Sequence, residues 1–524
     1  MKGWGGDLHD PLFELINRKS TVLGRPEVSA NRVAVSRVSE LFERNCTAQN
    51  VDEDDKQRHQ ALLLSKQLED QMQKGRFKYC TVERKWIAGF LYKSEELAKL
   101  GENRNIAVKS TISLNKGLYR KPAIAKQVNL AIGKNLETKV WVKVLDKPEI
   151  TGCKRHYLPI NFVLNASSKS TPVRVVADPS RTDPGGRTLN SVQAPGTGEL
   201  GSVRKVLTQN RVSQELYATD ISKFFTSFLL SPADSSLRRM YVPKGGFGKV
   251  EFISENDLEE LCQQHMGFGD ASAAGLAVMG RILTADKANE TPGTPYHAAV
   301  QEALREQVFV NNVYGRGPFG DNMQGFREEM EKAAAEGGFV LKEWFKSGDD
   351  ATIKMLGYTW DCKNDLLFIQ ANIVKGALDR GQKVGETLTV ENVQDALSTS
   401  LTKRDLLSII AQIYDPLGLC APVTNSLKVL FSRINIEIPQ KEKLDTQVPL
   451  HFKEKVVSAI RQVLEAKSIS FSRTVLPRNL DDPKPEVELV TCCDASTAAY
   501  STHSTSAMRE SQLSKPTYYM RLPR

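Results

Sequence analysis

The apolar residues of this chain change their spacing repeatedly and without a regular rhythm. "TKVWVKVL" (138–145), "YLPINFVLN" and "TPVRVVADPS" alternate as strands do, the last two forming a hairpin around the polar loop "ASSKS". "HAAVQEALREQ", "GFREEMEKAAAEGG" and "ENDLEELCQQ" carry helical spacing. "VRKVLTQNRV" reads as a short helix and "ELYATDISKFFTSFLL" as a strand, with Asp220 where its apolar run breaks. "IKMLGYTWDCKNDLLFI" suggests one hairpin turning at "DCKND", and "TKRDLLSIIAQIYDPLG" an N-capped helix stopped by Pro416 and Gly418. "PEVELVTCCDASTAAY" is a further strand ending on Asp494. Strands and helices that do not alternate one for one argue for an α+β fold over a doubly wound sheet. Upstream, "DDKQRHQALLLSKQLEDQMQKG" places Leu62, Leu63, Leu64, Leu68 and Met72 near helical spacing, with Gly75 as the expected stop.

Charge is distributed unevenly. Residues 74–174 hold 21 Lys/Arg against 7 Asp/Glu, a local net of +14 in a chain whose total is +9. A basic block on a near-neutral body is the footprint of a polyanion binder, or simply a solvated lysine-rich surface. The eight cysteines are scattered without a C-x-x-C pair, which argues against a structural zinc site or a disulfide framework. No apolar run approaches the roughly 20 residues that cross a bilayer, and the start "MKGWGGDLHD" lacks a targeting pattern. A soluble intracellular protein without a membrane partner is expected.

The most informative stretch is "REQVFVNNVYGRG" (305–317), where Asn311 and Asn312 form the polar tip of an apolar hairpin. Such a hairpin can present catalytic side chains. Amides, however, neither ionise nor hold a divalent cation strongly.

Taken in order, these pieces resemble the reverse transcriptase of Bel-Pao type retrotransposons over roughly residues 75–505. "RHYLPINFVLNASSKSTPVRVVADPS" is similar to the family's fingers hairpin, with Arg174 and Asp178 at matching positions. "ATDISKFFTSFLL" resembles polymerase motif A, whose aspartate is Asp220 and whose sugar-sensing aromatic is Phe225. "MGFGDASAAGLAV" resembles motif B through Gly269, and "GGFVLKEW" motif D through Lys342. "VFVNNVYG" occupies the place of motif C, which normally carries two aspartates. "LTKRDLLSIIAQIYDPLGLCAPV" is the closest match, and "ELVTCCDASTAAY" is similar to the first strand of an RNase H domain, with Asp494 as its first carboxylate.

The resemblance implies an α+β right-hand polymerase: an N-terminal extension (1–74), basic fingers (75–205), palm (206–350), thumb and connection (351–485), and a truncated RNase H-like fragment (486–524). It implies Mg²⁺ as cofactor and RNA, RNA–DNA hybrid or single-stranded nucleic acid as partner through the 74–174 block, with protein assembly as a further possibility. Arg174, Phe225, Gly269 and Lys342 would contact template or substrate; Asp220, Asn311 and Asn312 would stand at the catalytic centre, with Asp220 the remaining metal ligand.

The departures set the functional expectation. Two-metal nucleotide addition needs anionic ligands holding cations about 3.5–4 Å apart. Replacing two of three carboxylates by amides removes two negative charges, and losing even about 4–6 kcal/mol slows a reaction a thousandfold or more. Leu164-Asn165 stands where a lysine is usual, and Ala274-Gly275 where a proline and an aromatic are usual. Polar "STHSTS" replaces a second apolar RNase H strand, and the chain ends at Arg524 before further acidic ligands, so RNase H activity is not expected. The expected function is a retrotransposon-derived reverse transcriptase-like protein, a pseudoenzyme kept for nucleic-acid binding or structure. An active RNA-directed DNA polymerase, a protein-binding scaffold or an inert relic are the alternatives.

Overall fold

The computed structural model describes residues 53–164, 173–196, 201–288, 295–317, 323–375, 378–379, 382–383, 386–398, 400–438, 444–475, 487–495 and 500–508. The chain divides into two compact units, 1–68 and 69–524. The described part of the first is the beginning of helix α1 (Glu53–Arg76), which passes the expected stop at Gly75 by one residue. Its Leu62, Leu63, Leu64 and Leu68 are exposed.

The second unit opens with the hairpin β1 (Lys78–Cys80)–β2 (Lys85–Ile87) and the short helix α2 (Ser94–Lys99). Helices α3 (Arg104–Tyr119) and α4 (Pro122–Glu137) touch each other and are joined by a two-residue link, Pro122 being tolerated in the first turn of α4. Strand β3 (Trp141–Lys143) and the hairpin β4 (Ile160–Leu164)–β5 (Val173–Ala177) follow. After α5 (Val203–Arg211) come β6 (Leu216–Ser222), α6 (Pro232–Ser236), β7 (Arg239–Pro243) and β8 (Leu258–Gln263). Leu118, Ala125 and Val128 of the helix pair pack on Trp141, Ile160, Val173, Met240 and Leu261, so the basic stretch shares a core with strands more than a hundred residues downstream.

The next layer is a sheet of order β11–β6–β10–β9, built from β9 (Val308–Phe309), β10 (Asn312–Arg316) and β11 (Val340–Leu341), with β12 (Phe345–Lys346) also pairing β6. Helices α7 (Ala273–Ala288), α8 (His297–Glu306) and α9 (Met323–Ala335) cover it through Leu276, Val300, Leu304, Phe326 and Met330. The third core joins the meander β13 (Thr352–Met355), β14 (Tyr358–Asp361) and β15 (Leu366–Ile369) to helices α10 (Val393–Ser398), α11 (Lys403–Gln412), α12 (Ala421–Glu437) and α13 (Leu450–Glu465). Thr402 caps α11 with a reciprocal Asp405 box, the N-cap expected from the sequence.

The mixed α+β class expected from the sequence is what the chain adopts. Three local expectations are corrected. "ENDLEELCQQ" is not a helix: a 3-10 turn at Glu255–Asp257 leads into β8, which pairs with both β3 and β7. Ladder hydrogen bonds on both sides and burial of Leu258, Leu261 and Cys262 outweigh the weak helical preference of Glu and Leu. The stretch expected to form one hairpin makes two turns. The added one lies at Leu356–Gly357, both at positive φ, where a side chain at Gly357 would collide with the Tyr414 ring. Within "TKVWVKVL" only Trp141–Lys143 is strand. The polar stretch after Asp494 nevertheless forms a strand, Tyr500–Met508, antiparallel to Val487–Ala495. Among the described residues no helix is long and apolar enough to cross a membrane.

Candidate functional site

Strand β6 is the central strand of its sheet, and its position explains where Asp220 lies. Leu216, Tyr217 and Ala218 are buried, while Asp220 is partly exposed at the point where the apolar run gives way. Register places Asn312 of β10 directly opposite Asp220. On the other side, Leu341 of β11 pairs with Ile221, and the Lys342 backbone N–H donates to the Asp220 carbonyl at 2.9 Å. Residues 91 and 122 positions apart thus meet at one strand end.

The turn of the β9–β10 hairpin consists of Val310 and Asn311; Asn312 already belongs to β10, opposite both Phe309 and Asp220. The polar tip expected at Asn311–Asn312 is therefore shifted by one residue. Val310 takes the left-handed conformation at φ 57°, a costly one for a β-branched residue. This geometry swings Asn311 back toward β6, where its carbonyl accepts from the Ile221 N–H at 2.8 Å.

Both oxygens of Asp220 are engaged. The Asn311 amide Nδ2 donates to Oδ1, and the Lys342 ammonium pairs with Oδ2. Asn312 Nδ2 lies 3.4 Å from Asn311 Oδ1, continuing the same chain of donors and acceptors. Thr219 Oγ1 donates to the Lys342 carbonyl at 3.2 Å and fixes the segment carrying the lysine. Below the cluster, burial pushes the Tyr314 hydroxyl well above its ordinary pKa, and the Asp220 carboxylate adds to this, so Tyr314 stays protonated.

This donor set does not fit a divalent cation. The one carboxylate faces an N–H donor on one oxygen and a positive charge on the other, where a metal would need acceptors. Among the described residues there is no cluster of three His, Cys, Asp or Glu side chains able to hold a metal.

Of the other residues singled out from sequence, Phe225 and Gly269 lie near each other. Phe225 packs edge-on against Phe268 with ring centroids 4.9 Å apart. The next residue, Gly269, sits at φ 101°, and a Cβ there would press on Pro179 just beyond β5 at 3.2 Å. Asn190 clamps this loop, donating to the Gly269 carbonyl and accepting from the Ala271 N–H, both at 2.9 Å. Arg174 is exposed on β5 opposite Val163, and its side chain has no hydrogen bond or ion pair with any described residue. Asp178 accepts from the Ser180 N–H at 3.0 Å in a local turn. Asn165, and the side chain of Asp494 in its strand, lie outside what the structure describes.

Sequence reasoning missed the support beneath the Gly269 loop. Arg238, fully buried, makes a two-pronged bond to Asp270 at 3.1 and 2.8 Å, and Gln193 donates to the same carboxylate at 2.7 Å. The signal available was an arginine pair, Arg238-Arg239, inside an otherwise strand-like run.

The basic block is partly neutralised by carboxylates, some of them from the segment that leads into β8. Arg104 pairs with Glu255, Lys143 with Glu259 and Lys147 with Glu149. Lys109, Lys116, Arg120, Lys121, Lys126, Lys134 and Lys139, on or beside α3 and α4, are exposed and have no ion pair with any described residue.

Residues 402–515 match a family model described as Pao retrotransposon-like RNaseH-like domain. That match bears out the Bel-Pao resemblance read from the sequence, and it begins inside the stretch expected to be thumb and connection. No curated protein matches the chain. Among solved structures, the foamy viral protease-reverse transcriptase in complex with RNA/DNA hybrid aligns at 13% identity and TM-score 0.40, over 73% of this chain and 43% of that one. The same protein's dRH form with double-stranded DNA aligns at 13% identity and TM-score 0.39, over 70% and 54%. The chain spans about half the length of these solved chains.

Proposed function

We propose that this chain is a retrotransposon-derived, reverse transcriptase-like protein that has lost polymerase chemistry and retains nucleic-acid binding. The observation that carries this reading is the engagement of both Asp220 oxygens by Asn311 and Lys342. Two-metal catalysis requires a concentration of negative charge. Here the remaining −1 is offset by an adjacent +1, and the neighbouring amides supply only dipoles.

In this reading the sheet around β6 and β10 is the palm of a right hand, with fingers from 75 to 205, palm to 350, thumb and connection to 485, and an RNase H-like fragment beyond. Phe225 and Gly269 line the former nucleotide site, and Arg174 contacts phosphate. The exposed cations Lys109, Lys116, Arg120 and Lys121, on α3 and the link after it and in no ion pair with a described residue, support nucleic-acid binding, since backbone affinity depends on Lys/Arg placement and not on a metal site.

Primer extension on a primed RNA template tests the proposal. The wild-type protein is expected to give no product with Mg²⁺ or Mn²⁺, while binding the same template. The Asn311→Asp/Asn312→Asp variant restores two charges to an existing turn, and weak Mn²⁺-supported synthesis is expected. Extension by wild-type protein whose asparagines are verified by mass spectrometry would overturn the reading.

A further inference from the structure

Helix α4 has a side that no described element covers. Pro122, Lys126, Leu130, Gly133, Lys134 and Glu137 follow one another along a single face, and Leu130 is 59% exposed. Facing them is the loop Phe247–Gly248–Lys249, and the two walls enclose a groove of about 760 Å³ floored by Ala125 and Phe247.

The groove is built and does not depend on surface side chains for its shape. Asn129 of α4 donates to the Phe247 carbonyl at 2.9 Å and accepts from the Phe247 N–H at 2.8 Å, so one amide fixes the opposite wall. Asn115, fully buried in α3, accepts from the Gly248 N–H and donates to the Val250 carbonyl, each at 2.8 Å. Gly248 sits at φ 72°, and a Cβ there would lie 2.7 Å from that of Ala125, so the loop approaches the helix as closely as backbone allows.

Its chemistry separates it from the rest of the basic block. The floor is apolar, whereas the rim carries Lys126, Lys134 and Lys249, none of them in an ion pair with a described residue, against the single carboxylate of Glu137. A polyphosphate backbone gains nothing from an apolar floor. A short amphipathic helix does, by placing apolar side chains over Leu130 while its flanking carboxylates reach the three lysines. At about 1.5 Å per residue, the 16 residues of α4 offer roughly 24 Å, enough for several turns of a partner helix.

We propose that the α4 groove is a docking site for an acidic amphipathic helix of a protein partner, distinct from the nucleic-acid surface. The probe is a fluorescein-labelled helical peptide with leucines at i and i+4 flanked by glutamates, titrated by anisotropy into the full chain. Saturable binding is expected. Leu130→Ser, a neutral change at an exposed position, should weaken it about tenfold, and should leave affinity for single-stranded RNA unchanged. A lysine-for-glutamate version of the peptide should not bind. Absence of peptide binding, or binding unaffected by Leu130→Ser, would overturn the proposal. So would full competition by RNA together with loss of RNA affinity in Leu130→Ser, which would assign the groove to nucleic acid.

Discussion

At the residue scale, Val310 holds a conformation that its side chain disfavours, one residue before the amides it positions. A left-handed backbone costs an L-residue about 1–2 kcal/mol, and strain of this kind concentrates at functional sites. In the proposed reading, the shape of a catalytic hairpin remains where its acids are absent. Val310 is also partly buried against the core of the sheet, so Val310→Asn, which loses that packing and relieves the strain, should cost about 1 kcal/mol less stability than Val310→Ala, which loses the packing and keeps the strain; a loss in Val310→Asn equal to or larger than that in Val310→Ala would contradict the strain. His265, buried beside the turn after β6, gives a pH dependence. Burial foremost, then Lys85, Lys147 and Lys223, lowers its pKa from 6.5 to about 4, and its Nδ1 lies 3.0 Å from the Thr226 carbonyl. The folded state binds this proton less readily than the unfolded chain, so its contribution is complete above the unfolded value and lost as pH falls from about 6.5 to 4. A shift of this size corresponds to a loss on the order of 3 kcal/mol. Denaturation at pH 7 and 4 should show a smaller loss for His265→Asn than for wild type; equal losses would rule out His265 as a source.

At the scale of elements, the strand Ser470–Ser472 and the residues after it are held by a buried ion pair. Arg473 bonds Asp365 with two nitrogens and donates to the carbonyls of Ser213 and Gln214 at 2.8 Å, tying the meander to the loop before β6. Arg473→Ala leaves Asp365 buried without its counter-charge, a change worth about 3–5 kcal/mol. A midpoint in urea indistinguishable from wild type would contradict this role. Most elements were legible in the sequence because their periodicity is strong: α11 with its cap, the β4–β5 hairpin, and β6, whose apolar run breaks at Asp220. Strand β8 was not, because its sequence suits a helix and only two flanking strands decide otherwise. The shift of the hairpin turn was hidden too, since Asn311 is the residue type expected at a left-handed position and Val310 takes it instead. The pairing of Lys342 with Asp220 joins residues 122 positions apart, and no local pattern announces it.

At the scale of the whole molecule, two consequences of charge separate. Internal carboxylates neutralise part of the basic block, and what remains falls into two sets of exposed cations, Lys109, Lys116, Arg120 and Lys121 on α3 and the link after it, and Lys126 and Lys134 at the α4 groove. Reversing Lys109, Lys116, Arg120 and Lys121 to glutamate should weaken single-stranded RNA binding and lower the salt slope by about three, at about 0.7 per phosphate contact. An unchanged slope would move nucleic acid off this face. Asp220 held by Asn311 and Lys342 should not hold a cation, which can be checked by titrating Mn²⁺ into the protein and following free Mn²⁺ by electron paramagnetic resonance. The wild-type protein should show no saturable site that Asp220→Asn removes, and Asn311→Asp/Asn312→Asp should create one. Saturable binding to wild type that disappears in Asp220→Asn would contradict the account.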